Sequence, residues 1–367
     1  MTLGEAPHQK ANEIVTYAEE KTLTDRMVRV VAPSRLHFGM LSTNHPGPRR
    51  YGGVGAMVDA PGLEITLRPA ERFEVLGPLS DRARNAARLA MAALATGQGR
   101  CEDLVRACAE VPCRIEVIRI PPLHVGLGTG TQLAMAVAAG VSAWLDRPPC
   151  PPDRLARCVR RGRRSAIGLY GFAYGGLLYE SGKAEEEEIA PLQARVEIPA
   201  AWRFVLARPR DLRGLSGEAE RQAFAALPPA PNERAEWLRR EALHRMFPAA
   251  AEARFEDFSD SLFRFGLAAG SNFAAAQGGP FAGPRLAALV EWIRAQGIRG
   301  VGQTSWGPTV FALLPNEDSA RDLVRRLLAR PDGRSLEVTV APPNNRGAQV
   351  HVATADPCLA PKADPFA

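Results

Sequence analysis

Alternating apolar and polar positions begin at Met27. The run Val28-Arg29-Val30-Val31-Ala32-Pro33 predicts a strand, and residues 63–67 and 73–76 repeat the pattern of half-buried antiparallel strands. An Ala/Leu/Arg-rich segment at 81–95 predicts a helix, 114–120 another strand, 133–144 a small-residue helix, 153–164 a basic helix and 175–180 a strand. The second half opens near Ala200 with a strand at 202–207. Two helices follow within 217–247, broken by the Pro-rich stretch 227–232. Helices at 257–276 and 284–296, a strand at 309–314, a helix at 318–329 and strands at 336–341 and 349–353 complete the reading. Strands and helices mixed without strict alternation predict an α+β protein in two lobes. The segments are an extension at 1–27, weakly helical at 12–21, lobes at 28–195 and 196–355, and a tail at 356–367.

The chain has 367 residues, enough for one large or two ordinary domains. With 46% hydrophobic and 23% charged residues it is globular rather than disordered. The net charge of +6 and a pI of 9.2 favour anionic partners. The basic residues are dispersed and aromatics are only 7%, so small phosphorylated substrates fit better than nucleic acid or a membrane surface. Six cysteines, Cys101, Cys108, Cys113, Cys150, Cys158 and Cys358, include no C-x-x-C pair. They suit reduced thiols in a cytoplasmic enzyme better than a disulfide framework or a zinc site. No signal peptide is visible, and no run approaches the roughly 20 apolar residues of a membrane helix.

The segment Pro121-Pro122-Leu123-His124-Val125-Gly126-Leu127-Gly128-Thr129-Gly130-Thr131-Gln132 lies between the strand at 114–120 and the helix at 133–144. It reads either as a tight strand-to-helix turn or as a phosphate cradle. Glycines let backbone N–H groups approach an anion, and a helix start leaves orphan donors. The helix dipole contributes only roughly 0.3–2 kcal/mol, so cations or a metal must add to it. No Lys follows the glycines, which excludes a Walker-type loop, and the dinucleotide fingerprint is not matched.

Other clusters accompany it. Ser34-Arg35-Leu36-His37 closes the first strand, and alternation puts Arg35 and His37 on one face. Arg35 suits a carboxylate or phosphate and His37 a hydrogen bond or a proton, the bland alternative being a structural histidine. Tyr51-Gly52-Gly53-Val54-Gly55 with Asp59 is either a substrate-facing loop or a plain turn. Arg160, Arg161, Arg163 and Arg164 crowd four guanidiniums together, and a helix would put Arg160, Arg163 and Arg164 on one face, solvated or holding a polyanion. Residues 165–172 read as a glycine- and aromatic-bearing loop, and 185–188 as a solvated acidic loop. In Gly302-Gln303-Thr304-Ser305-Trp306-Gly307, Trp306 suits a planar ring, with Gln303, Thr304 and Ser305 offering hydrogen bonds. Asn344-Asn345-Arg346-Gly347 adds another arginine in a tight turn.

The order of these motifs resembles the superfamily of galactokinase, homoserine kinase, mevalonate kinase and phosphomevalonate kinase, the GHMP kinases. Segments 34–39, 126–132, 162–172 and 302–309 resemble one branch more closely, the β-ribofuranosylaminobenzene 5′-phosphate synthases, over roughly residues 28 to 353. The resemblance implies a GHMP-kinase-like two-lobed fold, with a ribosomal protein S5 domain 2-like N-terminal lobe and an α/β C-terminal lobe. Two departures separate the chain from the kinases. Gly130 replaces the usual second serine of the glycine loop, and residues 165–176 contain no Asp to act as the kinase base.

The synthase branch implies condensation of 4-aminobenzoate, or a related 4-substituted benzoate, with 5-phosphoribosyl 1-diphosphate. CO2 and diphosphate leave, on the way to a methanopterin-type carrier. Arg35 and His37 are then the catalytic pair, facing the benzoate carboxylate. Gly126, Gly128, Thr129, Gly130 and Thr131 hold the diphosphate, and Arg160, Arg163, Arg164 and Ser165 a phosphate. Gln303, Thr304, Ser305 and Trp306 face the ring. Mg²⁺ is the implied cofactor, with unassigned ligands, and the implied assembly is a cytoplasmic homodimer binding neither nucleic acid nor membrane. An ATP-dependent kinase of the same fold is the alternative, and a non-catalytic sensor a third reading.

Overall fold

The computed structural model describes residues 26–43, 49–96, 111–215 and 217–354. The extension with its weak helix, Cys101, Cys108, Cys358 and the tail lie outside the described residues, apart from the first strand's opening at Arg26.

The chain runs β1 (Arg26–Met40), β2 (Gly53–Pro69), β3 (Glu74–Leu76), α1 (Ser80–Thr96), β4 (Cys113–Arg119), α2 (Thr129–Trp144), α3 (Pro152–Cys158), α4 (Ile167–Tyr174), β5 (Leu177–Glu180) and β6 (Leu192–Val196). It continues with β7 (Arg203–Pro209), α5 (Gly217–Ala225), α6 (Asn232–Glu241), α7 (Phe247–Ala251), α8 (Phe255–Gly270), α9 (Ala274–Gln277) and α10 (Pro284–Ala295). Then come β8 (Val301–Gln303), β9 (Val310–Leu314), α11 (Glu317–Leu328), β10 (Leu336–Ala341) and β11 (Gln349–Thr354).

A seven-stranded sheet follows the order β11-β1-β2-β4-β3, with β5 pairing β2 and β6. A four-stranded antiparallel sheet follows β10-β7-β9-β8. The last strand therefore returns to the first lobe, where it lies antiparallel to β1.

The long pair β1–β2 serves two cores. Val28, Val30, Ala32, Leu63, Ile65 and Leu67 pack with α1 and α2. Beyond a register shift between Ala32 and Ser34, Leu36, Phe38, Val54 and Val58 pack instead with Phe204, Phe258 and Phe311 of the second lobe. Each such buried aromatic or aliphatic side chain contributes about 1.5–3 kcal/mol. The same alternation leaves Arg35 and His37 on the face opposite Leu36 and Phe38, where they line a cleft.

Three expectations change. Within residues 51–55, Gly53 to Gly55 are strand rather than loop or turn, because Gly53 to Ala56 pair with β5 while the same segment pairs β1 on its other side. Asp59 lies outside the cleft and accepts from Asn344 Nδ2 at 2.6 Å. Residues 167–174 form a helix, since Ile167, Leu169 and Phe172 bury one face of it.

The basic helix also ends earlier than expected, at Cys158. Arg161 N–H donates to Ala156 O at 2.8 Å and Arg160 N–H to Arg157 O at 3.0 Å, the bonding of a Schellman stop, with Arg160 at φ 56°. Arg160, Arg163 and Arg164 therefore do not share a helix face. They lie on an irregular loop that still brings all three to one cleft.

Candidate functional site

Two adjoining cavities meet at Arg35. The larger, about 560 Å³, is lined by Arg35, His37, Thr131, residues 160–165, Glu220, Phe224, Phe273, Gln303, Ser305 and Trp306, among others. The smaller, about 220 Å³, is lined by Arg35, Arg82, His124, residues 126–131, Arg161, Glu220 and Trp306, among others. Arg35, Thr131, Arg161, Glu220, Ser305 and Trp306 belong to both.

The floor of the smaller cavity is the turn into α2. Gly128 caps that helix in the left-handed conformation, φ 71°, and a Cβ there would meet Arg35 Cβ at 3.1 Å. Glycine thus lets the Arg35 side chain lie across the helix start. A Cβ on Gly130 would meet nothing within 4 Å, so this residue faces open space. Thr131 reaches both cavities, whereas the Thr129 hydroxyl turns inward and donates to Pro122 O at 3.0 Å.

The second glycine-rich turn braces the first. Thr304, fully buried, donates to Gly126 O at 2.8 Å and accepts the His37 N–H at 2.9 Å. Thr309 donates to Val125 O at 2.7 Å. A Cβ on Gly307 would lie 2.1 Å from Gly126 N, and one on Gly126 would lie 2.3 Å from Thr304 O. Gln303 lines the larger cavity, but its amide is engaged, accepting from Ala282 N–H at 2.7 Å and donating to Ser305 O at 3.0 Å. Trp306 faces both cavities, stacked on Phe224 at 6.0 Å and edge-on to Phe273 at 5.2 Å.

The arginine loop divides its charges. Arg164 pairs with Glu220 at 2.9 Å and lies over the Phe224 ring at 4.7 Å. Arg160 and Arg163 are exposed at the rim of the larger cavity. Arg161 instead turns in toward the glycine turn and Arg82. Among the described residues, Arg35, Arg82 and Arg161 have no carboxylate within salt-bridge distance. The Nε atoms of Arg35 and Arg161 are buried without a hydrogen-bond partner.

Burial lowers the Arg35 pKa to about 10, offset in part by Glu180 and Glu220, and burial with neighbouring Arg82 lowers that of Arg161. Burial, reinforced by Arg35, drives His37 down to about 3, so its imidazole is neutral. Arg35 and Arg161 thus bring two partly buried guanidiniums, each with an unpaired Nε–H, to the glycine turn.

Two residues, Arg82 of α1 and Glu180 behind the cleft, belong to no motif in the chain, and Arg161 stands out in it only as one of four clustered arginines. Glu180 closes the apolar run of β5 and is 0% exposed. Its Oε2 accepts the Ala166 N–H at 2.7 Å, and the Ser165 hydroxyl lies against the same carboxylate. The only advance signal was a charged residue ending a fully buried strand. Asn344 and Arg346 border neither cavity.

Residues 246–332 match the model of the GHMP kinase C-terminal domain. The fold is that of the GHMP kinases. It is shared with Streptococcus pneumoniae phosphomevalonate kinase (TM-score 0.62, 13% identity, 87% of this chain and 99% of that one). Cytophaga hutchinsonii homoserine kinase shares it too (TM-score 0.58, 16% identity, 91% and 99%). Within this fold the chain is similar to the β-ribofuranosylphenol 5′-phosphate synthase of Archaeoglobus fulgidus, 28% identical over 89% of this chain and 100% of that protein. The enzyme of the same name from Methanothermobacter thermautotrophicus is 27% identical over 77% and 87%. The resemblance to the synthase branch thus extends along nearly the whole chain. No helix of the described residues is long and apolar enough to cross a membrane.

Proposed function

We propose that this protein transfers the ribosyl group of 5-phosphoribosyl 1-diphosphate to the carboxylate-bearing carbon of a 4-substituted benzoate, releasing CO2 and diphosphate. The observation that carries this reading is the buried, unpaired Nε–H of Arg35 and of Arg161 beside an open glycine turn. Such donors are costly unless a polyanion satisfies them. The product in the relatives' name is a ribosylphenol, which a 4-hydroxybenzoate acceptor yields. A 4-aminobenzoate acceptor yields the aniline counterpart by the same steps.

In this reading the smaller cavity takes the diphosphate. Arg35, Arg82, Arg161 and the start of α2 neutralise the charge that develops as it leaves. The larger cavity takes the acceptor ring against Trp306 and Phe224, with its carboxylate toward Arg35 at the boundary and its para substituent farther in. Ring electrons attack the ribose C1 as the C–O bond breaks toward diphosphate. Cleavage of the carboxylate's C–C bond then restores aromaticity. No covalent nucleophile is needed, and positioning with electrostatics supplies most of the rate.

The described residues form no protein cage for Mg²⁺. No group of three or more His, Cys, Asp or Glu side chains converges among the described residues, and Glu220 at the cavities is paired with Arg164. When bound, Mg²⁺ would accompany the diphosphate and would help neutralise the charge that develops on it.

The test is label release from carboxyl-labelled 4-hydroxybenzoate and 4-aminobenzoate with Mg²⁺ and either phosphoribosyl diphosphate or ATP. Release with phosphoribosyl diphosphate alone is the expected result, and the preferred benzoate is the one released faster. ATP consumption without any label release would instead establish the kinase reading.

A further inference from the structure

Glu180 is a buried carboxylate that the mechanism above does not use. It is 0% exposed, Oε1 has no hydrogen-bond partner, and no Lys, Arg or His of the described residues lies within salt-bridge distance. It borders neither cavity. Ser165 stands between it and the larger cavity. The Ser165 hydroxyl lies against the carboxylate, accepts the Ile167 N–H at 3.3 Å, and is 3.3 Å from His37 Nε2. Ser165 and His37 line the larger cavity and not the smaller.

The acceptor's reacting carbon must lie at the boundary between the cavities, beside the leaving diphosphate. In that pose its para substituent lies within the larger cavity, whose lining includes Ser165. We infer that Glu180 is a positioning residue acting through Ser165: it takes up, by way of the Ser165 hydroxyl, the proton that the acceptor's para substituent must shed during ring attack. This rests on the proposed function and adds a proton path to it.

The balance closes. As the ring carbon bonds to ribose C1, the C1–O electron pair leaves on diphosphate. The para O–H gives its proton to Ser165 Oγ while Ser165 passes its own to Glu180, leaving a neutral dienone. The bond to the carboxylate carbon then breaks, its electron pair re-forms the aromatic ring, and CO2 departs. The proton returns through Ser165 to the para oxygen, so none is gained or lost overall. A 4-amino group follows the same path through its imine.

Two bases flank the hydroxyl, and their surroundings choose between them. His37 is held down to about 3 by burial and by Arg35, so it stays unprotonated. Burial raises Glu180 to about 7, opposed by Ser165, the Ala166 N–H and Arg35. That value is matched to a proton passing both ways near neutrality. Arg35 faces Glu180 from β1 and Tyr170 from α4, while its strand neighbours Gly53 and Leu192 carry no charge.

The experiment compares wild type, Glu180→Gln, Ser165→Ala and Ser165→Thr in CO2 release from 4-hydroxybenzoate across pH, with thermal melts alongside. Wild-type kcat falls as pH drops through about 7, because a protonated Glu180 cannot accept. Glu180→Gln and Ser165→Ala lose kcat on the order of 10²-fold together with that limb, with KM for phosphoribosyl diphosphate changed less than about twofold. Ser165→Thr, which keeps the hydroxyl, restores both. An active wild type with limb and kcat preserved in Glu180→Gln overturns this inference alone. A wild type that releases no CO2 from either benzoate overturns the proposed function and this inference with it. Should Glu180→Gln fail to fold, Ser165→Ala decides by the same two outcomes.

Discussion

The two glycine-rich turns look alike as text and differ as structure. Residues 126–131 and 302–309 each combine glycines with hydroxyls. The first presents Gly128, Gly130 and Thr131 to a cationic cavity. The second directs Thr304 and Thr309 back onto the first turn's carbonyls and leaves only Ser305 and Trp306 at both cavities. A hydroxyl is available to a ligand only if the backbone around it is already satisfied. At the second turn it is not, because Gly126 O and the His37 N–H are buried and need Thr304. In the proposed reading the first turn binds the diphosphate, and the second holds that turn in register with β1.

The sharpest way to break this division is at the residue both cavities share. Arg35→Ala removes the cation that lies across Gly128, and kcat/KM is expected to fall about 10²–10³-fold, or about 3–4 kcal/mol. The fold should persist, because Arg35 makes no salt bridge; Glu180, losing the charge that favours its ionised form, takes up a proton instead. Steady-state kinetics and a urea melt of the same sample check both halves. A rate within about threefold of wild type would remove Arg35 from the site.

Gly307→Ala probes the brace. A Cβ there would lie 2.1 Å from the backbone nitrogen of Gly126, and neither backbone can move without breaking the Thr304 and Thr309 bonds. The expected loss is about 3 kcal/mol of stability, read as a lower urea midpoint. An unchanged midpoint would mean that the turns are not in backbone contact.

Much of this was legible in the chain, and the failures share a cause. Alternation placed Arg35 and His37 together because a strand's side-chain period survives any tertiary context. The strand-turn-helix at Gly126–Thr131 was equally local. The arginine loop was misread because its helix stops at Cys158 with Arg160, rather than a glycine, in the left-handed conformation. Two residues on, Gly162 has φ 90°, and a Cβ there would meet Leu169 Cδ2 at 2.7 Å. Residues 165–176 contain no Asp, and the buried carboxylate behind the cleft comes from the next strand: Glu180 accepts the N–H at the start of α4 from outside the helix. Hydrogen bonds between distant segments leave no periodicity to read.

The smallest effect sharpens the comparison most. Gly130 sits in the first turn of α2 with no positive φ and no atom within 4 Å of a would-be Cβ. Alanine therefore fits the backbone and reduces the unfolded chain's freedom, so Gly130→Ala should raise stability by about 0.5–1 kcal/mol. The same methyl projects toward the space assigned to the diphosphate, where close approach of backbone N–H groups matters. Calorimetry with inorganic diphosphate and Mg²⁺ should show binding weakened several-fold, on the order of 1 kcal/mol. Gly307→Ala and Gly130→Ala make the same chemical change in the two turns with opposite signs on stability, and only the second reaches the ligand. A Gly130→Ala protein that binds diphosphate as wild type does would move the leaving group off this turn. The arginines alone would then have to hold it.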